Sequence, residues 1–213
     1  GCDSTIVSDT ITVWPNPIAD ITTEPVCDST EAIFFDSSDS TNVPITSWFW
    51  DFGDPGLLSD TSIANDSVTH IYSTWGDFNI TLTITDQNDC QDTHIEPITI
   101  WPNPVANFDS IYSCLLPSPD SIFSYSTIIF NNTSTLDPFG GGYIQWESWY
   151  IDDNLADSTL YTTPFDTSFS AGQYSIDLFV YSDNGCIDSI SNTIQVVDIP
   201  ISVFTLIGDT FCV

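Results

Sequence analysis

The six cysteines are the residues of this chain best suited to covalent chemistry, and their surroundings sort them into two alternating classes. Cys2, Cys90 and Cys186 each lie beside turn-forming residues and within two positions of an Asp. The other three, Cys27, Cys114 and Cys212, each follow a proline-marked segment at a similar distance. Alternating classes of cysteine are typical of a disulfide framework in an oxidising, extracellular setting, and catalytic thiols would not recur in this way.

The composition excludes most catalytic chemistry, because the chain has no Lys and no Arg among 213 residues. It therefore has no Schiff-base lysine, no cationic phosphate-binding side chain and no Lys–Asn isopeptide bond. His70 and His94 are its two histidines, too few for a typical zinc site. Glu147 has no evident carboxylate partner for glycosidase work. We therefore predict that the chain is not an enzyme.

The formal net charge of −30 decides which partners are chemically reasonable. Such a surface repels nucleic acids and anionic lipid, and no apolar run is long enough to span a membrane. Carboxylate oxygens favour Ca²⁺ as the one candidate cofactor, and the alternative is a solubilising surface in salty water. The candidate calcium ligands lie in two acidic loops, where they could instead cap turns: Asp51, Asp54, Asp152 and Asp153.

Asp is followed by Ser or Thr at 14 of its 26 positions, which raises the question of glycosylation. Nine of these pairs continue with Ile, Val or Thr, and this resembles a signal for O-glycosylation in Bacteroidota. The alternative is that abundant Asp, Ser and Thr simply suit turns and strand edges. The candidate hydroxyls are Ser4, Thr10, Ser29, Ser40, Ser67, Ser110, Ser121, Ser158 and Ser189.

An internal repeat sets the expected domain organisation. The segment Trp14–Asp20 (WPNPIAD) returns as Trp101–Asn107 (WPNPVAN), with a weaker third copy near Val197–Ile201. Periods of this length indicate tandem domains rather than solenoid turns. We expect complete domains at 14–100 and 101–196, the last strand of a preceding domain at 1–13, and the first strand of a following domain at 197–213.

Both expected domains have the pattern of an all-β fold. Thr81–Thr85 and Ser175–Val180 alternate polar with apolar residues, which is the period of a half-buried strand. Asp86–Asp89 and Asp183–Gly185 are expected to be turns that join adjacent strands. Several short strands within about 90 residues indicate a β-sandwich.

The first domain resembles the PKD (polycystic kidney disease) domain family. The resemblance lies in Trp48–Asp54 (WFWDFGD), His70–Tyr72 (HIY) and Trp75–Asp86 (WGDFNITLTITD). Trp149–Asp153 (WYIDD) and Gly172–Leu178 (GQYSIDL) are a divergent copy of the pattern that lacks its histidine. The resemblance implies tandem immunoglobulin-like sandwiches without catalysis, with His70 packed in a strand and Trp50 and Trp149 in the cores.

The implied topology leads to a prediction for the disulfides. It places Cys27 and Cys114 at the end where the chain leaves each domain, and Cys90 and Cys186 at the end where it enters. A bond between Cys27 and Cys186 across the junction is preferred, because bonded cysteines need Cα atoms within about 7 Å. Cys2, Cys90, Cys114 and Cys212 would then pair with neighbouring domains. The alternative is pairing within each domain, as Cys27–Cys90 and Cys114–Cys186.

The resemblance also implies a role, since such arrays occur in giant surface proteins of Bacteroidota that serve as adhesins, gliding filaments and fibres. We therefore predict a rigid, disulfide-braced stalk in a long extracellular fibre or adhesin. Its expected partners are neighbouring repeats of the same chain, with a homo-oligomeric filament as a further arrangement. The alternatives are a module that binds carbohydrate or another surface, including surface glycans, and a spacer of a secreted hydrolase.

Overall fold

The computed structural model describes residues 14–39, 44–54, 67–112, 122–123, 127–160 and 163–197. The chain divides into two compact units, Gly1–Pro102 and Asn103–Val213. Within the described ranges both units consist of strands, turns and loops, with no helix, so the predicted all-β fold is confirmed. The described part of the chain contains no helix long and apolar enough to cross a membrane. The strands predicted at 1–13 and beyond Val197 lie outside the described residues.

The first unit is a sandwich of a three-stranded and a four-stranded sheet. Its strands are β1 (Ile21–Thr23), β2 (Val26–Cys27), β3 (Glu31–Asp36), β4 (Ile45–Asp51), β5 (Ser67–Ile71), β6 (Gly76–Asp86) and β7 (Gln91–Trp101). The sheet orders are β1-β3-β5 and β2-β7-β6-β4. All pairings are antiparallel except β2 with β7, which run parallel.

The second unit repeats this plan with one more strand. Its strands are β8 (Phe108–Tyr112), β9 (Ile122–Phe123), β10 (Thr127–Asn132), β11 (Ile144–Ile151), β12 (Asn154–Leu160), β13 (Phe165–Ser168), β14 (Gly172–Ser182) and β15 (Ile187–Val197). The sheet orders are β13-β10-β8 and β12-β11-β14-β15-β9. The short strand β9 runs parallel to the end of β15, as β2 does to the end of β7.

Alternation along the strands builds both cores. Ile80, Leu82 and Ile84 of β6 are fully buried, while the threonines between them face solvent. They pack with Trp50 and Phe34 in one cluster. Because side chains of a strand alternate between its two faces, the period-2 pattern of the sequence defines the buried face. The predicted strands at Thr81–Thr85 and Ser175–Val180 are thus confirmed within β6 and β14.

The second core is richer in aromatic rings. Phe108, Phe130 and Phe165 surround the fully buried Trp149, with ring centroids 5.1, 5.7 and 5.7 Å from its own. Ring pairs at such separations add to the free energy of simple burial. Trp149 faces Leu178 across β11 and β14, as Trp50 faces Leu82 across β4 and β6. The prediction that both tryptophans belong to the cores is confirmed.

One hydrogen bond between the two sheets recurs in both units with donor and acceptor exchanged. In the first unit Trp48 Nε1 on β4 donates to Asp36 Oδ2 on β3 at 2.5 Å. In the second, Asn132 Nδ2 on β10 donates to Glu147 Oε2 on β11 at 2.7 Å. The registers make Glu147 the counterpart of Trp48, since they face Val180 and Ile84 respectively.

This exchange has a consequence for the core tryptophans. Glu147 Oε1 also accepts from Trp149 Nε1 at 3.2 Å. The first unit has Trp48 at that position, which carries no acceptor, and Trp50 Nε1 is correspondingly buried without a partner. The buried Glu147, 1% exposed, is thus explained by the two neutral donors that it satisfies.

Candidate functional site: the domain ends

The end at which the chain enters each domain is held by one repeated hydrogen bond. In the first unit Asp92 Oδ2 accepts from the backbone N–H of Ala19 at 2.8 Å. In the second, Asp188 Oδ2 accepts from the N–H of Ala106 at 2.7 Å. The repeated Pro-x-Ala and Cys-x-Asp motifs therefore form two sides of one contact. We call this contact the entry clamp, and it ties the segment after the prolines to the last strand of its own domain.

Replacing Asp92 with alanine should lower the stability of the first unit by about 1.5–3 kcal/mol, because a charge-assisted hydrogen bond is lost and an N–H is left unpaired. The effect is measurable as faster hydrogen exchange of the β7 amides in the full chain. The control is Asp77→Ala, which removes the same charge from an exposed residue whose partner is the Thr99 hydroxyl. If the two variants changed the stability equally, the change would come from removing a negative charge and not from breaking the entry clamp.

The entry clamp is adjacent to a turn that carries the first class of cysteine. In the first unit Asp86 Oδ1 accepts from the N–H groups of Asn88 and Cys90, at 2.7 and 3.0 Å. In the second, Ser182 Oγ accepts from the N–H of Cys186 at 3.0 Å. Asp89 takes the left-handed conformation in the first turn, with φ of 62°. Both turns join consecutive strands, as predicted.

The cysteines of the first unit lie at opposite ends of its sheet. Cys27 pairs with Trp101 at the end of β7, whereas Cys90 immediately precedes the start of that strand. At a rise of about 3.3 Å per residue, eleven residues of strand separate the two by about 35 Å. A disulfide needs Cα atoms within about 7 Å. The alternative Cys27–Cys90 bond is therefore not formed.

The oxidation states agree with this separation. Cys27 and Cys186 are both disulfide-bonded, and Cys90 is a free thiol. Cys90 and Cys186 hold equivalent turn positions, and the predicted bond of Cys90 to a neighbouring domain stays a prediction. The predicted pairings of Cys2, Cys114 and Cys212 involve cysteines outside the described residues.

His70 is a packed strand residue, as the family pattern implied. It lies in β5, 8% exposed, with its ring stacked on Phe52 at 4.4 Å and edge-on to Tyr72 at 4.6 Å. Its Nε2 contacts Asp54 Oδ2 at 2.8 Å. The Tyr72 hydroxyl donates to the Phe52 carbonyl at 3.0 Å. Burial, followed by the charges of Asp54 and Asp51, raises the pKa of Tyr72, so the phenol stays protonated.

The four candidate calcium ligands are separated into two turns, one in each unit. Asp51 Oδ1 accepts from the N–H of Gly53, and Asp54 contacts His70. Asp152 Oδ1 accepts from the N–H of Ser175 at 2.9 Å. Among the described residues no group of three or more His, Cys, Asp or Glu side chains could hold a metal ion. The alternative, in which the carboxylates cap backbone amides, thus describes Asp51 and Asp152, and calcium binding stays a prediction.

The candidate glycosylation hydroxyls divide by exposure. Ser29, Ser67, Ser158 and Ser189 are exposed, and Ser110 is half-buried. Ser158 also shares a hydrogen bond with Ser148 at 3.1 Å. Because attachment of a glycan needs an accessible hydroxyl, the exposed serines are the better acceptors. Ser4, Thr10, Ser40 and Ser121 lie outside the described residues. Glycosylation stays a prediction at every position.

The outer face of the larger sheet in the second unit forms a groove of about 550 Å³. Tyr150 and Phe179 contribute aromatic rings, and Asp153 and Asp177 contribute carboxylates. No motif or repeat in the sequence indicates this groove. Tyr150 and Asp177 lie on different strands that the sequence does not pair, and only the register brings them opposite each other.

Comparison with known proteins places the first unit in a family. The family model described as PKD domain matches residues 14–100. The PKD1 domain of the Vibrio cholerae metalloprotease PrtV is 26% identical, with a TM-score of 0.34, and the match covers 40% of this chain and 98% of that domain. The PKD1 domain of Vibrio anguillarum Epp is 21% identical, with a TM-score of 0.34, over 40% of this chain and 94% of that one.

A longer match is to the fibronectin(III)-like modules of Clostridium thermocellum CbhA. It has 13% identity and a TM-score of 0.44, and it covers 84% of this chain and 95% of that one. No curated protein matches the chain. The assignment rests on the family model, which agrees with the WDFGD, HIY and strand motifs in position. Residues 14–100 of this chain are therefore a PKD domain.

Proposed function

We propose that this chain is a structural segment of a long extracellular fibre or surface adhesin, with no catalytic role. The PKD domain and the disulfide-bonded cysteines are those of an extracellular β-sandwich module. The observation that carries the proposal is the position of the disulfide-bonded cysteines at domain ends, Cys27 beside the last residue of β7 and Cys186 beside the entry clamp. Cysteines at these ends suit a stalk braced along its length.

The proposed bond joins Cys27 to Cys186. Cys27 is paired with Trp101, and Cys186 lies two residues from Asp188, which binds Ala106. Trp101 and Ala106 are five residues apart in the chain, so their Cα atoms are at most about 18 Å apart. Both cysteines are thus held near one short junction segment. Cys90, the other cysteine described in the first unit, is too far from Cys27 to bond with it.

The same junction has features that favour stiffness. Proline fixes φ and restricts the residue before it, and the junction Trp101–Asn107 carries two prolines. The entry clamp holds the end of this segment to its own domain. Neighbouring repeats of the same chain are the proposed partners, each joined to the next by a short clamped segment.

Single-molecule pulling on the full chain tests the proposal. A Cys27–Cys186 bond would withhold about 159 residues from extension, so complete unfolding should release about 57 nm less contour length than in reductant. The Cys186→Ser variant should extend fully without reductant. Non-reducing peptide mapping with a protease specific for Asp should yield one peptide pair that contains both cysteines.

Full extension of the oxidised wild-type chain, or a difference of only about 23 nm as expected for a Cys27–Cys90 bond, would contradict the braced stalk. The unfolding forces of the oxidised and reduced chains should also be compared, with the withheld length taken into account. If the oxidised chain unfolds at forces no higher than the reduced chain, the disulfide has no mechanical role. That result would favour the spacer of a secreted hydrolase instead.

A further inference from the structure

The groove on the second unit is built from two cross-strand rows of the exposed sheet face. One row places Tyr150 of β11, Asp177 of β14 and Ser191 of β15 side by side. The next row places Phe179 of β14 opposite Ser189 of β15. All five residues line the groove. Since they project from strands rather than loops, the sheet itself positions them.

The aromatic and polar groups of the groove are organised among themselves. The Tyr150 and Phe179 rings meet edge to face, with centroids 5.4 Å apart. Asp177 Oδ1 accepts from Ser175 Oγ at 3.0 Å, and Ser175 Oγ lies 3.3 Å from Ser191 Oγ. Asp177 is half-buried within this face. A partly desolvated carboxylate beside two rings is thus held in place by a hydroxyl.

Charge complementarity indicates what would occupy the groove. Asp153 and Asp177 supply two carboxylates, and the whole chain carries a formal charge of −30, so an anionic ligand would be repelled. No Lys or Arg exists among the 213 residues to neutralise them. A Lys or Arg occupant therefore comes from outside these 213 residues, and another copy of them has no such side chain to offer.

We propose that the groove binds an arginine side chain of a partner protein. A guanidinium is planar, stacks on aromatic faces and binds a carboxylate through two parallel hydrogen bonds. Tyr150 and Phe179 provide the rings, and Asp177, which lies opposite Tyr150 on the neighbouring strand, provides the carboxylate beside them. The serine hydroxyls can accept the remaining N–H groups. This site is independent of the stalk role, since it occupies the face of one domain and not the junction.

The first unit offers a natural comparison on the same scaffold. By register, Thr81 and Thr83 of β6 occupy the positions of Asp177 and Phe179. The hydroxyl of Thr83 is bonded to that of Thr93, at 3.0 Å. This face thus has neither the central carboxylate nor the ring, although the sandwich is the same. Substituting the threonines into the second unit should therefore preserve the fold.

Chemical-shift mapping of the full chain with acetyl-arginine amide, in about 150 mM salt, tests the proposal. We expect shifts concentrated at Tyr150, Asp177 and Phe179, and at least tenfold weaker binding in the Asp177→Thr variant. Acetyl-citrulline amide, which has the same shape without the charge, should not bind. The Asp77→Ala variant, which removes an acidic residue elsewhere, should bind as the wild type does.

Three results would overturn the proposal. Shifts spread over acidic residues of both units would show unspecific counter-ion binding. Equal binding of the citrulline compound would show that charge is not recognised. Shifts at the groove with methyl glucoside but not with acetyl-arginine amide would assign the site to carbohydrate instead.

Discussion

Replacing Gly53 with alanine should destabilise the first unit by about 2–4 kcal/mol and leave the second intact. Gly53 has φ of +74°, and a Cβ there would lie 2.6 Å from the backbone oxygen of Asn79. The left-handed conformation costs a non-glycine residue roughly 1–2 kcal/mol, and the clash with β6 backbone adds to it. Residue-resolved hydrogen exchange of the full chain measures the two units separately.

Gly185→Ala is the matched control for this effect. Gly185 also has a positive φ, +84°, but a Cβ there would meet no atom within 4 Å. Its cost should be only that of the conformation, about 1–2 kcal/mol. If Gly53→Ala cost no more than Gly185→Ala, the close approach of the WDFGD turn to β6 would have no energetic importance. The comparison thus isolates the clash from the strain.

Replacing Glu147 with alanine should destabilise the second unit by about 3 kcal/mol or more. The change removes the acceptor of Asn132 Nδ2 and of Trp149 Nε1, and each buried donor left without a partner costs about 1–3 kcal/mol. Urea unfolding followed by hydrogen exchange of the β14 amides would report the loss. A Glu147→Ala protein as stable as the wild type would show that the buried carboxylate is not needed as an acceptor.

The first unit suggests a rescue of this loss. Its Trp48–Asp36 pair joins the same two positions with donor and acceptor exchanged. The double variant Asn132→Asp, Glu147→Trp reproduces that pair and should recover much of the stability lost in Glu147→Ala. Trp149 Nε1 would stay unpaired, as Trp50 Nε1 is in the first unit. Glu147→Trp alone should not recover it, because Asn132 Oδ1 already accepts from the N–H of Ser134, and the Asn132 Nδ2 donor would face the indole N–H donor.

Several features of the fold were predictable from local patterns. The β6 and β14 strands follow from alternation, and the turns after them follow from Asp, Asn and Gly. The PKD resemblance also located Trp50 and His70 in the core and in a strand, where they lie. These predictions succeed because strand period and turn chemistry depend on near neighbours in sequence.

The contacts at the domain ends and the groove were less predictable from the sequence. The sequence shows an Asp close to Cys90 and to Cys186, but nothing local in it indicates that Asp92 binds Ala19 and that Asp188 binds Ala106, which lie 73 and 82 positions away. The coincidence of two repeated motifs was the signal that could have linked them. The groove had no such repeated motif, because the first unit has Thr81 and Thr83 at the positions of Asp177 and Phe179.

By itself, the sequence determined the charge, the absence of Lys and Arg, the β pattern and the two classes of cysteine. Composition and near-neighbour periodicity are sufficient for these. The tertiary structure decided which residues meet: that Cys27 and Cys90 lie at opposite ends of β7, that Asp92 and Asp188 clamp the entering chain, and that Asp177 lies between Tyr150 and Ser191. Strand register sets these contacts, and register depends on long-range pairing that local residue patterns do not encode.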